Sequence, residues 1–161
     1  MTDQIGRIAS INVAPRGGVP KTAIANAAIA IERVMGDKQN NTLSHGGPMR
    51  AVCLYSAERI AALQAEGHPI VAGSVGENLT LSGMDWARIT PGDRLVFDGG
   101  VTLEITSYTT PCHKIAAAFS DSDPTRIQQQ LHPGWSRVYA KVIAPGVVRQ
   151  GETVTHQMDP H

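Results

Sequence analysis

Residues 91–107, "PGDRLVFDGGVTLEITS", decide the fold. Leu95 and Phe97 lie on one side of a strand, Asp98-Gly99-Gly100 supplies residues that tolerate a tight turn, and Val101, Leu103 and Ile105 then alternate with Thr102, Glu104 and Thr106. A period of two on both sides of a glycine turn predicts a β-hairpin with one buried face. Sixteen glycines and ten prolines against 4% aromatic residues imply short elements joined by many turns, so the hairpin is read as a sample of a β-rich chain.

Upstream, residues 5–13 carry Ile5, Ile8, Ile11 and Val13 between small or polar neighbours and predict a strand. "TAIANAAIAIERVMGD", residues 22–37, is ambiguous: its alanines favour a helix, while Ile29 and Ile31 alternating with Ala30 and Glu32 suit a strand; on its residues alone it is read as a helix. Ser56 is the predicted N-cap of a helix to about Glu66, with Ile60 and Leu63 on one face and Gly67 as its stop. Downstream, Asp123-Pro124 opens a short helix predicted to reach Leu131. Residues 136–144 put Val138, Ala140, Val142 and Ala144 on one face of a strand, with a further short strand near Val147 and Val154. Gly92-Asp93 and Gly151-Glu152 look like one strand-entry turn used twice.

At 161 residues the chain is expected to form one domain, residues 1–161, with a core of its own. Its formal net charge of zero argues against a nucleic-acid-coating protein, so any anion-binding role must rest on a local basic cluster. No apolar run reaches the roughly 18 residues of a membrane span. The N-terminal residues lack the basic and long apolar regions of a secretory signal, so a reducing cytoplasm and two free thiols, Cys53 and Cys112, are expected.

"TTPCHKIAAAF", residues 109–119, places Cys112 after a proline at a predicted helix start. Thr110 is the expected N-cap, Pro111 the first helical residue, and Ile115 and Phe119 an apolar i, i+4 pair. A thiol in that first turn, near His113 and Lys114, faces unpaired N–H groups and positive charge that favour the thiolate over a free cysteine's pKa of about 8.5. The alternative is a small buried hydrophobe, which is how Cys53 in "RAVCLYS", residues 50–56, is read. Cys112 and His113 adjoin in sequence and make a poor nucleophile–base pair, so a cysteine hydrolase would need His45 or another distant residue. Six histidines without paired spacing and no CxxC argue against zinc; a metal at Cys112 would take one thiolate plus ligands the protein does not supply. "HGGPMRAV", residues 45–52, offers paired glycines and the planar fork of Arg50, and "GSVGENLTLSGMD", residues 73–85, frames Glu77-Asn78 with glycines. Each is either a tight turn or a ligand loop.

Taken in order, "GGVPK", "MGDKQN", "HGGPMRAVCLYS", "GSVGENLTLSG", "ITPGDRL", "TTPCHKI" and "GWSRVYAKVIAPGVVRQGETV" resemble the MOSC domain, the module named for the C-terminal part of molybdenum cofactor sulfurases. The resemblance implies a mainly β fold, a closed barrel with peripheral short helices, in which residues 27–37 become a barrel strand entering a turn. It implies the molybdenum cofactor (molybdopterin), with Cys112 either ligating the metal in a reductase of N-hydroxylated compounds or carrying sulfur as a persulfide. By the same resemblance Lys21, Lys38, His45, Arg50, Glu77, Asn78, His113, Lys114 and Arg137 are the expected cofactor-binding residues. No pyridoxal-phosphate site is expected in this chain, so sulfur from a cysteine desulfurase, or electrons from a donor protein, would arrive from a separate partner; neither nucleic acid nor membrane is implied. A non-enzymatic module that binds an anion or a protein through the same pocket is the competing reading, and a thiol hydrolase or redox sensor a third.

Overall fold

The computed structural model describes residues 2–38 and 47–159. The hairpin forms as expected, with β6 (Arg94–Phe97) and β7 (Thr102–Tyr108) in the register Leu95↔Leu103 and Gly100 turning the chain at φ 104°. β8 (Val138–Ala144) pairs with β7, β4 (Val52–Ser56) with β8, β5 (Leu79–Ser82) with β4, β1 (Gln4–Val13) with β5, and β10 (Thr153–Gln157) with both β1 and β6. These seven strands therefore close a barrel and leave it no free edge. All pairs are antiparallel except β4–β5, whose crossover begins with α1 (Ala57–Ala65). Ser56 caps α1 by accepting the Arg59 N–H at 3.1 Å, and Gly67 stops it at φ 101°, as the sequence predicts.

The barrel interior is built from alternate residues of each strand: Ile11, Val52, Leu54, Leu79, Leu81, Leu95, Phe97, Leu103, Val138 and Ala140 are all buried. Both Gly-acid turns open a strand, with Asp93 accepting from the Thr90 N–H and Glu152 from the Arg149 N–H three residues before it.

Five expectations shift. Residues 22–37 form no helix: β2 (Thr22–Ile24) adds to the edge of β1, and β3 (Asn26–Ile29) buries Ala27 and Ile29 with period two. Nor is β3 a barrel strand; it pairs only with β9 (Gly146–Arg149) in a separate two-stranded sheet, before Ile29 bridges Val34 and a turn leads to Asp37. Burial of one alternating face outweighs alanine's helix propensity here. The helix opened by Asp123 is one 3₁₀ turn, Pro124–Ile127, and stops short of Leu131. The strand expected near Val147 and Val154 is two, β9 and β10, separated by the Gly151-Glu152 turn. Finally, the helix after Cys112 is 3₁₀, His113–Ala118, and Cys112 is its N-cap rather than a first-turn residue. No helix among the described residues is long and apolar enough to cross a membrane.

Candidate functional site

Side chains that alternate with the barrel core along β1, β5, β4 and β8, or directly precede β5 and β8, leave the barrel, and one stretch of this wall gathers Ser10, Asn12, Asn78, Thr80, Cys53, Arg137 and Tyr139. Two segments cover the wall. The first runs through Gly18, Val19 and Lys21, seated on the loop before β5 where the Lys21 N–H donates to the Gly73 carbonyl at 2.9 Å. A Cβ on Gly73, at φ 87°, would collide with the Lys21 carbonyl, so this close approach requires glycine. The second is Thr110 to Ile115, fixed at its base where the Thr109 N–H donates to the Arg137 carbonyl at 3.0 Å. Between them opens a cleft enclosing about 750 Å³ including its mouth.

A buried network sets the floor. Asn78 accepts the Cys53 N–H on Oδ1 at 3.0 Å and donates through Nδ2 to the Asp37 carboxylate at 2.9 Å and the Asn12 carbonyl at 3.3 Å. Asp37 also accepts the Ala14 N–H at 2.8 Å and the Lys21 ammonium at 2.5 Å, which anchors that ammonium at the cleft. Glu77, fully buried, accepts the Gly73 N–H at 3.1 Å and the Thr80 hydroxyl at 3.0 Å. Burial pushes the Glu77 carboxyl above the usual range, against the pull of those hydrogen bonds and of Arg137.

The cleft wall is cationic. Lys21, Lys38, Arg50, Lys114 and Arg137 line it, and among the described residues no carboxylate does. Arg137 is 8% exposed; one terminal nitrogen donates to the Val75 carbonyl at 2.7 Å, while its Nε has no partner among the described residues. Its backbone is pinned by the neighbours of the β8 entry, Tyr55 donating its hydroxyl to the Trp135 carbonyl and Trp86 its indole N–H to the Ser136 carbonyl, both at 2.8 Å. The Arg50 guanidinium lies 5.6 Å from the Tyr139 ring centroid. Cys112 enters the cleft half-buried, whereas the Cys53 thiol is pushed up to about 11 by burial, with Arg137 opposing.

Of the residues expected from sequence, Lys21, Lys38, Arg50, Asn78, Cys112, Lys114 and Arg137 meet at this cleft. Glu77 does not reach it and instead braces the loop beneath. His113 is exposed and lies outside the lining, since the extended Cys112 backbone and the 3₁₀ turn send successive side chains in different directions. His45 falls outside the described residues. Sequence reasoning missed Asp37, Cys53 as cleft lining rather than core alone, and Tyr139. The available signal was the strand period: Arg137 and Tyr139 occupy the face opposite Val138 and Ala140, and Cys53 the face opposite Val52 and Leu54. Among the described residues no three His, Cys, Asp or Glu side chains gather closely enough to hold a metal ion, so a metal at Cys112 would depend on ligands brought with it.

Residues 41–155 match the family model described as the MOSC domain. The chain is 31% identical over 121 residues to the uncharacterized protein YflK of Bacillus subtilis, covering 74% of this chain and 53% of that one. It is 34% identical over 119 residues to protein YiiM of Escherichia coli, covering 70% and 51%. The chain thus spans about half the length of these curated relatives. Among solved structures, YiiM from Geobacillus stearothermophilus superposes with a TM-score of 0.75 at 27% identity, over 95% of this chain and 75% of that one. The YUAD protein of Bacillus subtilis superposes with a TM-score of 0.74 at 18% identity over 98% of both, a likeness of fold.

Proposed function

Because the chain belongs to the MOSC domain family, we propose that the cleft holds the molybdenum cofactor with the Cys112 thiolate as a metal ligand, and that the protein reduces N-hydroxylated compounds. The observation that carries this reading is Arg137: a guanidinium nine-tenths buried, in a cleft walled by cations, with an Nε that has no partner and a lining that has no carboxylate among the described residues. A buried donor without a partner is expensive, and a resident phosphate or other anion would satisfy it.

The residues present suit such a group. Arg137 and Arg50 offer planar forks to phosphate or pterin oxygens, and Lys38 and Lys114 add charge at the rim. Lys21, held in place by Asp37, contributes a fixed ammonium whose charge is partly offset. Asn78 fixes the Cys53 backbone at the floor, and Val19, Val75 and Ile115 give the cleft apolar surface that excludes water from part of it. Cys112 supplies the soft ligand. When bound, the cofactor supplies two-electron chemistry; electrons would come from a separate donor protein. Sulfur carriage is the weaker reading, because a thiol that hands sulfur to a cofactor in another protein needs exposure, and Cys112 is half-buried in the cleft lining.

The test is to purify wild type and Cys112→Ala from cells able to make the cofactor and measure molybdenum and pterin per chain. Wild type is expected to retain both and Cys112→Ala to lose them with an unchanged circular dichroism spectrum. A wild type that instead carries a labile extra sulfur and no molybdenum would establish sulfur carriage, and one with neither would refute both.

A further inference from the structure

Tyr139 is the one aromatic residue in the cleft lining among the described residues, and the fold aims it there by an irregularity. Its neighbours Val138 and Ala140 are buried in the barrel, so its ring leaves the barrel on the cleft side, half-exposed. Opposite it, the β7–β8 register slips between Ile105 and Ser107, Ser107 pairing with Tyr139. The skipped Thr106 donates its hydroxyl towards the Tyr139 carbonyl at 3.2 Å and the Met49 carbonyl at 2.5 Å. Such a bulge twists a strand and redirects a side chain. Here it also ties the Tyr139 backbone to the segment that carries Arg50, whose guanidinium lies over the ring, while Cys53 is the cross-strand partner.

Among the described residues of the lining, chemistry favours this phenol as a proton source. Arginine does not give up its proton, and the Lys21 ammonium is engaged by Asp37. Lys38 and Lys114 are exposed at the rim, and the Cys53 thiol sits buried in the floor. Burial pushes the Tyr139 hydroxyl up to about 12; the thiol of Cys53 adds to this, Arg137 and Arg50 oppose it, and Cys112 adds a little more. The group is therefore an O–H donor at neutral pH, with two guanidinium groups placed to stabilise the phenolate formed when it gives its proton away.

We infer that Tyr139 is a catalytic residue, hydrogen-bonding through its hydroxyl to the oxygen of a substrate N–OH group in the cleft and protonating that oxygen as it leaves. The inference rests on the reductase reading above. In the balanced reaction, R–NH–OH + 2 e⁻ + 2 H⁺ → R–NH₂ + H₂O, the N–O bond breaks with its pair going to oxygen. The Tyr139 proton moves to that oxygen, and water departs. The two electrons are what a reduced cofactor held in the cleft would supply; the nitrogen takes its second proton from solvent, and Tyr139 is reprotonated by water. Val19, Val75 and Ile115 suit a substrate whose N–OH is carried on an apolar body, such as an arylhydroxylamine.

The test compares cofactor-loaded wild type with Tyr139→Phe, using N-phenylhydroxylamine as substrate, its product aniline, and a reduced viologen dye as electron source. Molybdenum per chain is expected to be equal in the two proteins. Tyr139→Phe should lower kcat by about 100-fold or more, the range of a lost general acid, with KM changed by no more than about threefold. Its residual rate should rise about tenfold per unit fall in pH as solvent protons take over, while wild type stays flat between about pH 6 and 8. Calorimetry should show wild type preferring N-phenylhydroxylamine over aniline and the variant losing that preference. A Tyr139→Phe enzyme with wild-type kcat, or one slowed only because its molybdenum is lost, would overturn this role and leave the reductase reading standing. A molybdenum-loaded wild type that reduces no N–OH compound would overturn both.

Discussion

Arg137→Met sets the stability of the cleft against its function. The guanidinium is 8% exposed, makes one hydrogen bond to the Val75 carbonyl at 2.7 Å, and has an Nε without a partner. Methionine keeps the unbranched stem for packing against the wall while removing the charge. Losing the charged hydrogen bond costs about 1.5–3 kcal/mol, and relieving the orphaned donor returns about 1–3 kcal/mol. What tips the balance is removal of a buried cation with no carboxylate at ion-pair distance among the described residues; such exchanges for apolar groups are worth up to about 1–4 kcal/mol. The net expectation is a ligand-free protein more stable by about 1–2 kcal/mol, which for a chain of this size raises Tm by roughly 2–8 °C. Calorimetry with and without pyrophosphate reads both halves of the argument. In wild type, an anion at about ten times its Kd adds RT ln 11, about 1.4 kcal/mol, and in Arg137→Met it should add nothing. A fall in Tm of more than about 4 °C for the ligand-free variant, or an undiminished response to pyrophosphate, would show that Arg137 is a structural cation and refute its assignment to a ligand.

Two further outcomes follow from the thiols and from a buried carboxylate. Brief iodoacetamide treatment of the folded protein at about pH 8 should give a single adduct that maps to the half-buried Cys112, since Cys53 is 7% exposed with its thiol pushed up to about 11; first labelling at Cys53 would contradict the floor geometry. Asp93 feels burial that raises its pKa, but hydrogen bonds from His156 Nε2 at 2.7 Å, the Asp159 N–H at 2.8 Å and the Thr90 N–H at 3.1 Å outweigh it and hold the carboxyl below its ordinary value. A lowered folded pKa gives stability that is complete above about pH 5, begins to fall as pH drops towards the unfolded value near 3.9, and is lost as pH falls through the lower folded value. Urea titrations should therefore show a shallower acid limb for Asp93→Asn between about pH 5 and pH 3, and an unchanged slope would count against the pairing.

The barrel was legible because its evidence is local. The 91–107 hairpin, the Ser56 cap, the Gly67 stop and the alternation of β8 each sit within one short window, and each forms as expected. What failed needed partners distant in sequence. Nothing within residues 22–37 says that β3 pairs with β9, more than a hundred residues away, so alanine propensity pointed to a helix. The site divides along the same line. Cys112, Arg50 and Asn78 stood out in their local motifs and Arg137 through the resemblance to the MOSC domain, whereas Asp37 matters through Lys21, sixteen positions earlier, and Asn78, forty-one positions later. Tyr139 was hidden because a simple two-residue period sends it to the outer face without saying that a bulge in β7 and two covering segments turn that face into a cleft.

Zero net charge and an anion site are compatible because the chain separates its charges in space. Among the described residues five cations line one cleft, while two acids beneath it are withdrawn: Asp37 pairs with Lys21 and Asn78, and Glu77 is buried against Gly73 and Thr80 with its pKa raised by burial. Had either carboxylate faced the cleft, it would have satisfied Arg137 internally and removed the reason for an anion to bind. The closed barrel makes this arrangement tolerable, because the strand hydrogen bonds and the apolar interior carry the stability and leave the outer wall of β1, β5, β4 and β8 to hold an unsatisfied donor. A polar face on an otherwise self-sufficient barrel is thus where this sequence departs from the pattern that best stabilises it, and that departure coincides with the half-buried Cys112.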